Sequence, residues 1–195
     1  MISEPEKLIL GKMIETGALQ EGHFALSSGL HSGNYLQCAR FLMYPGNAYI
    51  AGSLLGEMIA PLKPALVVSP AMGGVIIGHE VARYLDVPFI FFEREKGEMK
   101  LRRFPEPGSL PYVIVEDVVT TGRSTIEVRE AMNSLSEGEF LGAGCIADRS
   151  GGGNRIGEGL ISLIRLDLPN YPPEECPYCR EGIPLKEPGS RKISS

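Results

Sequence analysis

From Ala65 onward, short β-branched runs alternate with segments whose apolar residues recur every three to four positions. ALVVSP (65–70), PFIFFE (88–93), YVIVED (112–117), FLGAGCIADR (140–149) and LISLIRLDL (160–168) have the length and continuity of buried strands. Between them, VIIGHEVARYLD (75–86) sets Ile77, Val81, Tyr84 and Leu85 on one helical face. The stretch after Gly122 does the same with Val128, Met132 and Leu135. Upstream, Leu10, Met13, Ile14 and Gly17 predict a helix ending near Gly17. Ile50, Leu54, Met58 and Ile59 predict another from Asn47 to about Leu62, closed by Pro61 and Pro64. Strands alternating with amphipathic helices predict an α/β fold, a largely parallel twisted sheet flanked by helices. GHFALSSGLHSGNY (22–35) reads as turns or short strands, and the proline- and charge-rich residues 169–195 as an irregular tail.

At 195 residues the chain is expected to form a single domain. Its formal charge of -5 gives no global support for adhesion to nucleic acid. No apolar run is long enough to span a membrane, and the charged N-terminus lacks the pattern of a signal peptide, so a cytoplasmic location is expected. Cys38 and Cys145 lie in apolar surroundings and read as reduced core residues. Cys176 and Cys179 form a lone C-x-x-C. A structural zinc site wants four ligands, and no second pair or nearby histidine is visible in the sequence. Zinc would then need a second subunit, and a redox role lacks its strand-helix context. His23, His31 and His79 show no ligand spacing; local hydrogen bonds are expected for the first two and exposure for His79.

The chemistry concentrates where YVIVED runs into VVTTGRST. Ligands of open α/β sheets bind beyond the carboxyl ends of the strands, where Glu116 and Asp117 are expected to lie. TTGRST then offers helix-terminal N–H groups, hydroxyls and an arginine, with Gly122 allowing the turn, which suits a phosphate. Acids beside a phosphate site fit a ribose 5-phosphate, whose diol donates to carboxylates while the phosphate occupies the loop. A divalent metal could share the acidic edge. An ordinary strand, turn and Ser- or Thr-capped helix is the bland alternative. No Walker-type loop occurs.

VIVEDVVTTGRST resembles the signature of type I phosphoribosyltransferases, which bind 5-phosphoribosyl 1-pyrophosphate (PRPP). Within that group GHFALSSGLHSGNY resembles the hood (about 1–40) of orotate phosphoribosyltransferases, and SPAMGGVIIG their pyrophosphate loop. IADRSGG (146–152) places Arg149 where that family has an arginine facing orotate, and CPYCREGIPLKEPGSR is similar to the ending of one bacterial branch.

The resemblance implies transfer of the phosphoribosyl group from PRPP to orotate in pyrimidine (UMP) biosynthesis, with Mg²⁺ carried mainly by PRPP. It implies PRPP contacts from Arg94, Lys100, Glu116, Asp117, Val118, Val119, Thr120, Thr121, Gly122, Arg123 and Ser124, and orotate contacts from Thr120 and Arg149. Lys100, Arg94 and Asp117 are the implied catalytic residues. Residues 94–111 correspond to a mobile flap that reaches the neighbouring active site of a homodimer. Arg94 to Arg103 hold five bases and two acids, suited to a polyanion.

The flap departs from the family pattern, with Glu95 directly after Arg94 and no histidine. Ser27 and Gly73 stand where some members have lysine. Lys100 is preferred over Lys96 as the catalytic lysine because Lys96 lies nearer the flap's base in sequence. A purine phosphoribosyltransferase would share the PRPP loop but not the hood or Arg149. A PRPP-sensing regulator would ordinarily add a DNA-binding module, for which this chain has no basic helix.

Overall fold

The computed structural model describes residues 3–26, 28–157 and 159–188, so Ser27 and the last residues of the tail lie outside the described residues. In chain order the elements are α1 (Glu4–Glu15), β1 (Leu19–Ala25), β2 (His31–Leu36), α2 (Cys38–Leu42), α3 (Pro45–Ile59), β3 (Leu66–Pro70) and α4 (Gly73–Leu85). Then follow β4 (Phe89–Glu95), β5 (Glu98–Lys100), β6 (Tyr112–Val119), α5 (Arg123–Asn133), β7 (Phe140–Asp148), β8 (Leu160–Arg165), β9 (Asn170–Tyr171) and α6 (Pro177–Arg180). The main sheet has the order β5-β4-β3-β6-β7-β8. It is parallel except for the β4–β5 hairpin at one edge. The expected α/β architecture is therefore present.

Strand periodicity divides the core into two layers. Val67, Val113 and Val115 pack with Leu55 and Ile59 of α3 and Ile77 and Val81 of α4. Their neighbours Leu66, Val68, Tyr112 and Ile114 face the other way, onto Val128 and Met132 of α5. Among the described residues, no helix is long and apolar enough to cross a membrane.

Three helix faces differ from the sequence expectation, the smallest difference being on α4, where Tyr84 is exposed. On α1 the buried residues are Ile9 and Met13, while Ile14 is exposed. On α3 the inward stripe is Ala48, Ala51, Gly52, Leu55, Gly56 and Ile59, and Met58 points to solvent. The reason is close packing against α4: a Cβ on Gly52 would come within 2.3 Å of Glu80, and one on Gly56 within 2.6 Å of Tyr84. Small residues thus let the helix backbones approach, and a search for large apolar residues overlooks that face.

A second, three-stranded antiparallel sheet, β1-β2-β9, forms the hood. Its third strand comes from the segment expected to be irregular. Beyond β9, the Lys186 amide donates to the His23 carbonyl, and the Ala25 amide donates to that of Lys186. This closure brings His23 and His31 onto Cys176 and Cys179. It corrects the expectation that the C-x-x-C pair has no histidine nearby. Cys38 and Cys145 are free, buried core thiols, and His79 is exposed, as expected.

Candidate active site

The sequence reading expects Glu116 and Asp117 to end their strand, but β6 continues to Val119. Consecutive strand residues project to opposite faces, so the two acids face different layers. Glu116 follows Ile114 toward α5, where its carboxylate accepts from the Thr125 hydroxyl. Asp117 follows Val115 toward the start of α4, against Gly73, where a Cβ would meet the Asp117 carboxylate at 2.4 Å. Gly73 is thus what seats this carboxylate, and a lysine there would force Asp117 to move. Burial pushes the Glu116 carboxyl up to about 7, against the opposing pull of its Thr125 bond. It also raises that of Asp117, which backbone N–H groups partly offset.

After Val119 the chain turns through Thr120 and Thr121, both exposed, into α5. The cap of α5 is Gly122 at φ 75°, a conformation that favours glycine, and no side chain caps the helix. The Ser- or Thr-capped alternative is therefore not what folds. The Arg123 amide donates to the Thr121 hydroxyl at 3.4 Å, and a helix N-terminus without a side-chain cap is in general an arrangement that can receive a phosphate. The loop after β7 packs over it: the Arg155 amide donates to the Thr121 carbonyl, and Ile156 lies against Gly122.

Arg149 follows β7, its amide donating to the Val119 carbonyl. This bond places it beside the start of the phosphate loop. Asp148 does not pair with it, because its Oδ1 accepts from the Ser150 amide at 2.9 Å. Arg149 Nε is buried and has no hydrogen-bond partner among the described residues, and burial lowers the pKa of the guanidinium. A desolvated, unsatisfied cation is costly unless something anionic completes it.

The flap is arranged differently. Lys96 and Gly97, both at positive φ, form the tip of the β4–β5 hairpin. Lys96 is therefore not nearer the base, and that reason for preferring Lys100 falls away. Arg94 pairs with Glu127 of α5, Lys100 with Glu98, Arg102 with Glu95 and Arg103 with Glu93. Met99 is buried in the layer that faces α5, and Leu101 and Phe104 pack against it. A cleft of about 490 Å³ lies between β5 and α5. Lys100 is the one predicted site residue on its walls.

The sequence reading counted Thr125 among the phosphate-loop hydroxyls, whereas it holds Glu116, and it missed Glu127, which binds both Arg94 and Arg123. Glu127 was detectable in part, since it stands four residues after Arg123 on a helix. Its second partner comes from a strand and leaves no local signal.

A phosphoribosyl transferase domain matches residues 43–156. An orotate phosphoribosyltransferase of Thermotoga maritima is 49% identical over 181 residues, covering 92% of this chain and 96% of that protein. One from Caldanaerobacter subterraneus is 47% identical over 176 residues, 90% of this chain and 92% of its own. The crystal structure of orotate phosphoribosyltransferase from Aeropyrum pernix aligns with a TM-score of 0.70 at 27% identity, over 83% of this chain and 93% of that one. With its largely parallel sheet, a glycine-capped helix after β6 and these relatives, this chain belongs to the orotate phosphoribosyltransferase family.

Proposed function

We propose that the chain transfers the 5-phosphoribosyl group from PRPP to N1 of orotate, releasing pyrophosphate, as a cytoplasmic homodimer serving pyrimidine synthesis. One observation supports orotate over an uncharged base: the buried, unpartnered Nε of Arg149 beside the phosphate loop. A planar guanidinium suits a carboxylate, which orotate has and a purine lacks.

The 5-phosphate is received by the amides and hydroxyls of Thr120 to Ser124, with Arg123 at the rim. Val118 and Val119 carry the strand to that loop. Thr120 directly follows Val119, whose carbonyl accepts from the Arg149 amide, and this neighbourhood supports its contact with the base. Asp117 and Glu116 flank the ribose from opposite faces of β6 and favour positive charge on its ring as the bond to pyrophosphate breaks. The flap, with Arg94 and Lys100, receives the departing pyrophosphate and excludes water, in this subunit's site or its neighbour's.

Glu116 is already bonded to Thr125 and the acids face opposite layers, so the residues fit Mg²⁺ delivered with PRPP better than a resident ion. Asp117 is the carboxylate placed to share it, and the ion would supply positive charge to the leaving pyrophosphate.

Incubation with PRPP, Mg²⁺ and orotate, adenine or hypoxanthine in turn, following pyrophosphate release, tests the reading. Release with orotate alone is expected. Release with a purine and not with orotate would overturn it.

A further inference from the structure

Four metal-binding side chains converge in the hood, away from β6 and its loop. His23 on β1, His31 on β2, Cys176 at the N-cap of α6 and Cys179 within α6 bring one ligand atom each within 4.8 Å of all the others. His23 Nε2 lies 3.0 Å from His31 Nδ1, 3.4 Å from Cys176 Sγ and 3.6 Å from Cys179 Sγ. Cys179 Sγ lies 3.3 Å from His31 Nδ1. Around a tetrahedral zinc with ordinary bond lengths, the nitrogen–nitrogen edge is about 3.3 Å and nitrogen–sulfur edges about 3.6 Å. These four edges are therefore close to those of a zinc tetrahedron, and every ligand atom lies within 4.8 Å of the others.

The surroundings favour the same occupant. His23 Nδ1 is 2.8 Å from the Ile183 carbonyl and donates to it, which leaves the Nε2 lone pair facing the cluster. Cys176 and His23 are almost completely buried, whereas Cys179 is exposed and gives an ion its way in. Two thiolates and two neutral imidazoles make a neutral complex with Zn²⁺, which can stay buried without a further counter-ion.

We propose that His23, His31, Cys176 and Cys179 form a structural zinc site within one chain, fastening the C-terminal segment to the hood. Zn²⁺ binds as both thiols lose their protons to solvent, with no change of oxidation state. The ion joins residues 23–31 to residues 176–179 at the point where β9 hydrogen-bonds to β2. Tyr178, between the cysteines, packs against Gly33 of β2, where a Cβ would lie 2.0 Å from its hydroxyl. The clamp thus holds both strands of the hood hairpin. One consequence rests on the proposed function: a hood that helps enclose orotate loses affinity for it when the clamp opens.

Metal analysis of the full-length protein, purified reduced and without chelator, is expected to give about one zinc per chain. The apoprotein loaded with Co²⁺ is expected to show tetrahedral d–d bands and a sulfur-to-cobalt charge-transfer band. Cys179→Ser, at the exposed corner, is expected to weaken Co²⁺ binding at least about 10-fold, and chelation to lower Tm by more than about 5 °C. A chain that binds neither Zn²⁺ nor Co²⁺ at micromolar concentration would overturn the proposal. So would a Cys176–Cys179 disulfide in the freshly purified protein, or a Co²⁺ spectrum unchanged by Cys179→Ser. If Cys179→Ser does not fold, the wild-type stoichiometry and Co²⁺ spectrum still decide. Activity enters only afterwards: zinc bound with no effect on orotate KM would separate the clamp from the functional reading, and both can fail independently.

Discussion

The flap and the floor of the site handle charge in opposite ways. In the flap Arg94, Lys100, Arg102 and Arg103 are each matched by a carboxylate, and all four cations are substantially exposed. At the floor Arg149 Nε has no hydrogen-bond partner among the described residues, and Glu116 and Asp117 are held in surroundings that oppose their ionisation. Exposed pairs are screened and easily exchanged, so the flap can surrender its carboxylates for a pyrophosphate. The floor has no such substitute and stays incomplete until a ligand supplies the charge or the hydrogen bonds. On this view the flap governs what happens as the bond breaks, and the floor governs what is bound.

The largest effect is expected where a flap cation meets charge that develops only during reaction. Lys100→Ala should lower kcat by about 100-fold or more while changing PRPP affinity little. Lys96→Ala, at the hairpin tip, is the control that sharpens the contrast. Single-turnover rates with both variants decide between them; turnover lost in Lys96→Ala and kept in Lys100→Ala would move the role to the tip. Next comes the floor. Arg149→Ala should raise the orotate KM about 100-fold, the loss of about 2–3 kcal/mol of charge-assisted hydrogen bonding, and leave the PRPP KM unchanged. A defect confined to PRPP would break the comparison, since Arg149 would then belong with the pyrophosphate.

A third, smaller effect concerns Glu116. Its carboxyl is raised to about 7 in the fold by burial, above the ordinary carboxylate range it has when unfolded. The folded protein therefore holds a proton that the unfolded chain releases, and this contribution weakens stability as pH rises from about 4.5 through 7. The change is at most about 3 kcal/mol across that window. Urea unfolding at pH 5 and pH 8 should show a decline in the ligand-free protein that is smaller in Glu116→Gln. An identical pH dependence in the variant would place the titration elsewhere.

Those residues also show what the sequence could and could not reveal. Strands and helices from Ala65 onward were legible because a buried parallel strand is nearly all apolar, and each amphipathic helix repeats at its own period. The turn at Gly122 and the start of α5 were legible because they are contiguous, the glycine and the helix start being adjacent in sequence. The α3 face was not, since Ala48, Ala51, Gly52 and Gly56 are buried for their small size rather than their hydrophobicity. The opposite projection of Glu116 and Asp117 followed from strand periodicity once β6 was known to continue to Val119. Pairings such as Arg94 with Glu127, and His23 and His31 with Cys176 and Cys179, join distant parts of the chain and exist only after folding.

The smallest expected effect tests whether the flap's acids compete with the ligand. Glu98 holds Lys100, and that bond raises the lysine's pKa while lowering the glutamate's. Both groups are exposed, so neither shift carries much stability, and Glu98→Gln should leave Tm within about 1 °C of the parent. It should, however, free Lys100 and remove a negative charge from the flap. PRPP KM is then expected to fall by about 2- to 3-fold at low salt, with the difference vanishing as ionic strength rises. A salt-independent change would point to altered flap packing around Met99 instead of charge. Weaker PRPP binding would show that Glu98 positions Lys100 for the ligand, and the flap would then resemble the floor in being organised before the substrate arrives.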